Sequence, residues 1–191
     1  IEKEGGAIDK EIKKYNINCK IIIFIIGLSL VLITEYGKIF FDVPTLLSEN
    51  IVGTVVVSTL LGPIFGTIMV GISNIIFNSF GIGQEVVMII FATKILEAII
   101  IGIINYKNNK KITRFIITIL ILSLIIPFIG IMTSTYTYQY GTEVYNFSEY
   151  IKSSINMYLE FLKKDYLNNL KTYILSFVIS MPIITIFNKK I

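Results

Sequence analysis

The chain has 191 residues, of which 54% are hydrophobic and only 16% are charged, whereas soluble domains carry about 25% charged residues. This composition predicts one membrane domain and leaves no length for a separate soluble catalytic domain. The net charge of +4 forms no basic, aromatic-rich patch, so nucleic-acid binding is not expected. Histidine is absent, Cys19 is the one cysteine and there is no P-loop, so we expect no enzyme activity, no metal and no cofactor.

The N-terminal part of the chain predicts a polar lead-in followed by three membrane spans. Residues 1–18 mix acidic and basic side chains and are interpreted as cytoplasmic. No charged residue occurs between Glu49 and Glu85, a run too long for one membrane helix of about 20 residues. Pro63 lacks a backbone donor and disfavours a helical Gly62, so the run is expected to break there into two short helices.

Three further apolar segments follow, separated by a basic linker at 107–114 and a polar segment at 136–169. Pro127 is expected to kink the fifth span. In the polar segment, apolar residues at helical spacing predict an amphipathic helix that lies on the outer surface or over a cavity; they are Ile151, Ile155, Leu159 and Leu162. The six expected spans are about 19–41, 51–61, 63–80, 84–106, 115–135 and 170–187.

The distribution of lysines predicts the orientation. Basic residues precede the first span, fill the 107–114 linker and follow the last span. Six spans place these segments on one side, which the positive-inside rule makes cytoplasmic. The expected fold is therefore an all-α polytopic membrane protein of six transmembrane helices, with both termini cytoplasmic and 136–169 extracellular. The excess of Ile, Lys and Asn suggests an AT-rich bacterial genome, and hence a bacterial plasma membrane.

Lys94 and Glu97 are expected to lie well inside the fourth span. Ionisable groups at membrane depth are costly and usually face the bundle interior or a water-filled cavity. At i and i+3 the two share a helix face. They are interpreted either as an intramembrane ion pair that neutralises itself or as a contact to a polar substrate or a partner helix.

Small residues mark two possible packing faces. Gly62 and Gly66 have GxxxG spacing, and Gly27 and Ser29 are the small residues of an otherwise bulky first span. Small side chains let membrane helices approach closely. The two interpretations are packing within the chain and docking of another membrane protein.

Tyrosines cluster at the start of the predicted outer segment, at Tyr136, Tyr138 and Tyr140. Tyrosine is common at membrane interfaces because its ring is amphipathic, so an aromatic belt is one interpretation. The other is a lid whose rings stack on a flat organic ligand while the hydroxyls hydrogen-bond it.

The stretch from Asn50 to Asn74, NIVGTVVVSTLLGPIFGTIMVGISN, resembles the second and third helices of substrate-binding (S) components of energy-coupling factor (ECF) transporters. Members often show Gly-Thr, then Leu-Gly-Pro followed by two aromatic residues and Gly, then Asn. The chain departs from the family in two places. Asn50 replaces a frequent Asp, and the first helix has Val31 four residues after Gly27, where members commonly show Ala-x-x-x-Ala.

The resemblance implies a small membrane protein that binds a vitamin or related micronutrient from outside. It would have no ATPase of its own and would join a coupling transmembrane subunit and two ATPase subunits. In this hypothesis the ligand lies among Glu49, Asn50, Gln84, Glu85, Tyr136, Tyr138, Tyr140, Asn168 and Lys171.

Two alternatives remain open at this stage. The same fold can serve as the membrane input domain of a signalling protein, in which case the chain is expected to be a piece of a longer one. The other alternative is a membrane assembly factor that transports nothing.

Overall fold

The computed structural model describes residues 17–34, 51–79, 87–106, 112–139 and 147–188. These residues are helical apart from short turns, which confirms the all-α prediction for the part described. The helices, in chain order, are α1 (Ile17–Thr34), α2 (Val52–Leu61), α3 (Pro63–Ser79), α4 (Val87–Asn105), α5 (Ile112–Gln139), α6 (Phe147–Lys164) and α7 (Tyr166–Asn188).

Three of these helices are long and apolar enough to cross a membrane. They are α1, α5 over Ile112–Thr133, and α7. The helices α2 and α3 are also apolar but shorter, at 10 and 17 residues. Since a spanning helix needs about 20 apolar residues, the composition fits a membrane protein, while the six-span count and the cytoplasmic termini stay predictions.

The predicted break at Gly62–Pro63 is confirmed. Gly62 has φ 98°, a conformation that favours glycine, and Pro63 begins α3. The N–H of Gly62 donates to the Ser58 carbonyl at 3.1 Å, and the N–H of Gly66 donates to the Gly62 carbonyl at 3.2 Å. The backbone therefore turns without losing these hydrogen bonds, which makes a tight corner possible in an apolar environment.

All ten residues of α2 are buried. It packs against α3, α4 and α7, which together cover it. It also contacts α1 at a point where two glycines meet. A Cβ on Gly53 would overlap the carbonyl oxygen of Gly27, and a Cβ on Gly27 would overlap a methyl group of Val57. The α1–α2 contact is therefore a backbone-to-backbone approach.

The corner of the hairpin packs on α4 in the same way. A Cβ on Gly102 would lie 2.5 Å from the Cα of Pro63, and the ring of Tyr106 lies 3.5 Å from the Cβ position of Gly62. The end of α4 is in turn joined to α5, because Asn105 Nδ2 donates to Thr118 Oγ1 at 2.9 Å. The end of α4 thus connects the α2–α3 corner to α5.

Helix α5 continues through Pro127, and neighbouring helices bind the carbonyls that the proline ring disturbs. Pro127 has no N–H, so the carbonyl of Ser123, four residues earlier, lacks its helical donor. Asn169 Nδ2 donates to that oxygen at 3.1 Å, and Tyr158 Oη donates to the Leu124 carbonyl at 3.0 Å. Both α6 and α7 are thereby fastened to α5 beside the proline.

The described residues of the predicted extracellular segment 136–169 are almost all helical. Helix α5 runs on to Gln139, beyond the expected end of the fifth span, and the expected amphipathic helix is α6. The last helix begins at Tyr166, earlier than the predicted 170.

The early start of α7 has a clear cause in the backbone. The N–H of Asp165 donates to the Phe161 carbonyl at 2.8 Å, and the N–H of Asn169 donates to the Asp165 carbonyl at 3.0 Å. Helical hydrogen bonding therefore crosses the α6–α7 junction, although the side chains there are polar.

Candidate functional site

The most distinctive polar feature of the interior is a carboxylate held between α4 and α7. Glu97 is only 8% exposed, and Tyr173, 1% exposed, donates its Oη to Glu97 Oε1 at 2.8 Å. A buried carboxylate requires donors, because moving an unpaired charge out of water is costly. Lys94 lies one turn earlier on α4 and is partly buried. Whether Lys94 and Glu97 form the predicted ion pair stays a prediction.

The buried face of α7 continues this polar surface along the helix. Thr172, Ser176 and Ser180 recur every four residues and are all buried. Ser180 Oγ donates to the Ser176 carbonyl at 2.6 Å and lies 3.2 Å from the carbonyl of Val52 at the start of α2. Hydroxyls can bond the carbonyls of their own helix and still approach a neighbour, so α7 brings polar atoms to both α4 and α2.

Two hydroxyls on α2 add to the polar interior. Ser58 and Thr59 are fully buried, and their side-chain oxygens find no hydrogen-bond partner among the described residues. Ser58 Oγ occupies the space that a Cβ on Gly66 would need. Gly66 therefore lets α3 close over the Ser58 hydroxyl.

Five of the nine predicted substrate-binding residues lie outside the described ranges: Glu49, Asn50, Gln84, Glu85 and Tyr140.

The remaining four residues of that set lie at helix ends. Tyr136 and Tyr138 belong to the last turns of α5, so their backbone continues the helix where a loop was expected. Asn168 and Lys171 are exposed in the first turns of α7. The structure does not describe a contact that joins these two side chains to Glu97 or Tyr173, so the gathering of all nine around one ligand stays a prediction.

The small residues predicted as a docking face divide into two groups. Gly27, Gly62 and Gly66 are buried in contacts within the chain, and whether this set docks a partner helix stays a prediction. Ser29 is exposed on α1 and is the member of this set that a partner helix can reach.

Sequence reasoning missed Tyr173 and Asn169. Each binds an atom on a helix distant in sequence, the Glu97 carboxylate and the Ser123 carbonyl. A signal existed for Asn169, because a proline inside a span leaves a carbonyl that needs a donor. No signal in the sequence singles out Tyr173 among eleven tyrosines.

Among the described residues there is no group of three or more Cys, Asp or Glu side chains that could hold a metal ion.

Comparison with known proteins returns no match: no family model, no curated protein and no solved structure is significantly similar to this chain.

Proposed function

We propose that the protein is the substrate-binding (S) component of an ECF-type importer in a bacterial plasma membrane. In this account it has six spans and cytoplasmic termini, and it captures a vitamin or related small organic micronutrient from outside. The sequence contains no P-loop, so the proposed partners are a coupling transmembrane subunit and two ATPase subunits that supply the energy.

The observation that carries the proposal is the α2–α3 hairpin. The stretch that resembles S components forms two helices with a glycine–proline corner, and the first of them is buried on every side. An entirely buried helix within a small apolar bundle gives a fixed framework on which the flanking segments can present binding residues. Asn50 and Glu49 directly precede α2, and Gln84 and Glu85 follow α3.

The polar interior supports a binding role over an inert one. Ionisable residues inside membrane bundles usually serve a pathway or a ligand. Glu97, Tyr173 and the hydroxyls of α2 and α7 place hydrogen-bonding atoms inside a bundle whose core is mainly apolar. A ligand with several hydrogen-bonding groups and no large net charge suits such a surface.

The proposal is tested by ligand affinity. The purified protein is screened by thermal shift against a panel of water-soluble vitamins, and the affinity for the best ligand is measured by calorimetry. Replacing Glu85 and Tyr138 together by alanine should weaken binding at least about ten-fold, the equivalent of roughly 1.4 kcal/mol. Glu160→Ala on the exposed face of α6 is the control and should leave affinity unchanged. An unchanged affinity in the double variant would contradict the site.

A further inference from the structure

Helix α6 has three distinct faces. Tyr150, Ser154 and Tyr158 lie on one side and turn toward α5, with Ser154 fully buried. An apolar stripe adjoins this side, formed by Ile151, Ile155, Leu159 and Leu162. The remaining side is mostly polar and exposed, and an open groove along it is lined by side chains of α6 alone: Glu149, Lys152, Ser153, Asn156, Met157 and Glu160.

The tyrosine side fixes how α6 runs relative to α5. Tyr150 Oη donates to the Met132 carbonyl at 2.8 Å, and Tyr158 Oη donates to the Leu124 carbonyl at 3.0 Å. The two tyrosines have the same separation in sequence as the two carbonyls, but residue numbers rise along α6 where they fall along α5. Helix α6 therefore lies antiparallel along α5, and the ring of Tyr158 packs edge-on to Phe128 with centroids 5.1 Å apart.

The contact lies within the apolar part of α5. Leu124 and Met132 both fall inside Ile112–Thr133, the portion of α5 that is long and apolar enough to cross a membrane. The distance along α5 from Thr133 to Leu124 is about 14 Å at 1.5 Å per residue, roughly half of a 30 Å hydrocarbon core. If residues 112–133 of α5 are the segment that crosses the bilayer, a helix bound at Leu124 lies at least partly inside it.

Both α5 and α6 expose apolar side chains. On α5, Leu120 and Leu124 are exposed, while Phe128 is partly buried and its ring packs against Tyr158 of α6. On the stripe of α6, Ile155 is 45% and Leu159 47% exposed. Exposed apolar side chains on a helix bound to a membrane span fit lipid better than water.

We propose that α6 dips into the bilayer beside α5, with its apolar stripe against lipid acyl chains and its polar face turned toward water. Charged side chains at this depth are costly in lipid, so the face that carries Glu149, Lys152 and Glu160 must be the hydrated one. The inference rests on α5 as a membrane span and does not depend on the proposed vitamin binding.

The chain has no tryptophan, so single tryptophans can report the environment without background. Three variants, Ile155→Trp, Leu159→Trp and Asn156→Trp, are reconstituted in phosphatidylcholine vesicles with acyl chains brominated at mid-chain. Bromine should quench the two stripe positions roughly three-fold more than position 156, because only they lie against the acyl chains. Aqueous iodide should give the reverse order.

Leu120→Trp, at an exposed position near the middle of the α5 span, is the membrane control. If bromine quenches Leu120→Trp while iodide quenches all three α6 variants, the proposal is overturned and α6 lies outside the bilayer. Blue-shifted emission at positions 155 and 159 that neither quencher affects would also overturn it, since the stripe would then be covered by protein. If Leu120→Trp itself resists bromine, α5 is not a span and the premise fails, whatever ligand the protein binds.

Discussion

Replacing Gly53 by alanine should destabilise the protein by crowding the α1–α2 contact. The added Cβ would overlap the carbonyl oxygen of Gly27, a backbone atom that cannot rotate away, and lie 2.7 Å from a methyl group of Val31. Overpacking costs about 1–3 kcal/mol, and a blocked backbone atom favours the upper part of that range. Alanine recovers about 1 kcal/mol of helix propensity, so we expect a net loss of about 1–2 kcal/mol.

Gly71→Ala on α3 is the matched control, because a Cβ at Gly71 meets nothing within 4 Å. This variant should raise the free energy of unfolding by about 0.5–1 kcal/mol through helix propensity alone. Reversible unfolding in mixed micelles, followed by circular dichroism against the mole fraction of dodecyl sulfate, measures both variants. If Gly53→Ala is as stable as Gly71→Ala, then α1 and α2 do not meet at their glycines and the packing described here is wrong.

Two further variants test the polar contacts. Tyr173→Phe should lower the free energy of unfolding by about 1.5–3 kcal/mol, because it removes a donor from a buried carboxylate. In the double variant with Glu97→Gln, the loss of stability should be smaller than the sum of the two single losses. Additive losses would refute the Tyr173–Glu97 hydrogen bond. Asn169→Ala should lower the free energy of unfolding by about 1–2 kcal/mol, because the Ser123 carbonyl then lacks a donor. In a Pro127→Ala background the restored N–H should reduce that cost, and an equal cost in both backgrounds would contradict the role of Asn169.

The sequence predicts those features of the fold that have a local cause. The uncharged run between Glu49 and Glu85 and the chemistry of Pro63 require a break, and Gly62 supplies it with a positive φ. The amphipathic spacing around Ile155 likewise predicts α6. In both cases residues close in sequence determine the structure.

Contacts between distant segments were harder to anticipate. Glu97 is recognisable as an unusual residue in an apolar span, but its donor Tyr173 lies on a helix 76 residues away, and a single sequence does not reveal such a pairing. The expected start of the last helix at 170 is late because the residues before it are polar. Helical hydrogen bonding nevertheless continues through Asp165 and Asn169, and the Asn169 amide binds the Ser123 carbonyl of α5, a contact between distant segments.

The small residues illustrate how spacing leaves two structures open. A GxxxG pattern at Gly62 and Gly66 allows close approach but does not say which helix approaches. The space above Gly66 is taken by Ser58 of the preceding helix, and Gly27 meets Gly53. These neighbours within the chain follow from the three-dimensional arrangement and could not be read from the motif.

Identifying what the purified protein carries is the most direct test of the proposed function. The protein is extracted in mild detergent from cells grown in rich medium, denatured, and its released small molecules are analysed by mass spectrometry beside a membrane protein of similar size prepared in the same way. The account predicts one vitamin-like compound at near-stoichiometric amount, absent from the control preparation. If no compound is enriched, and none of a vitamin panel binds when added back, the protein is not a substrate-binding component.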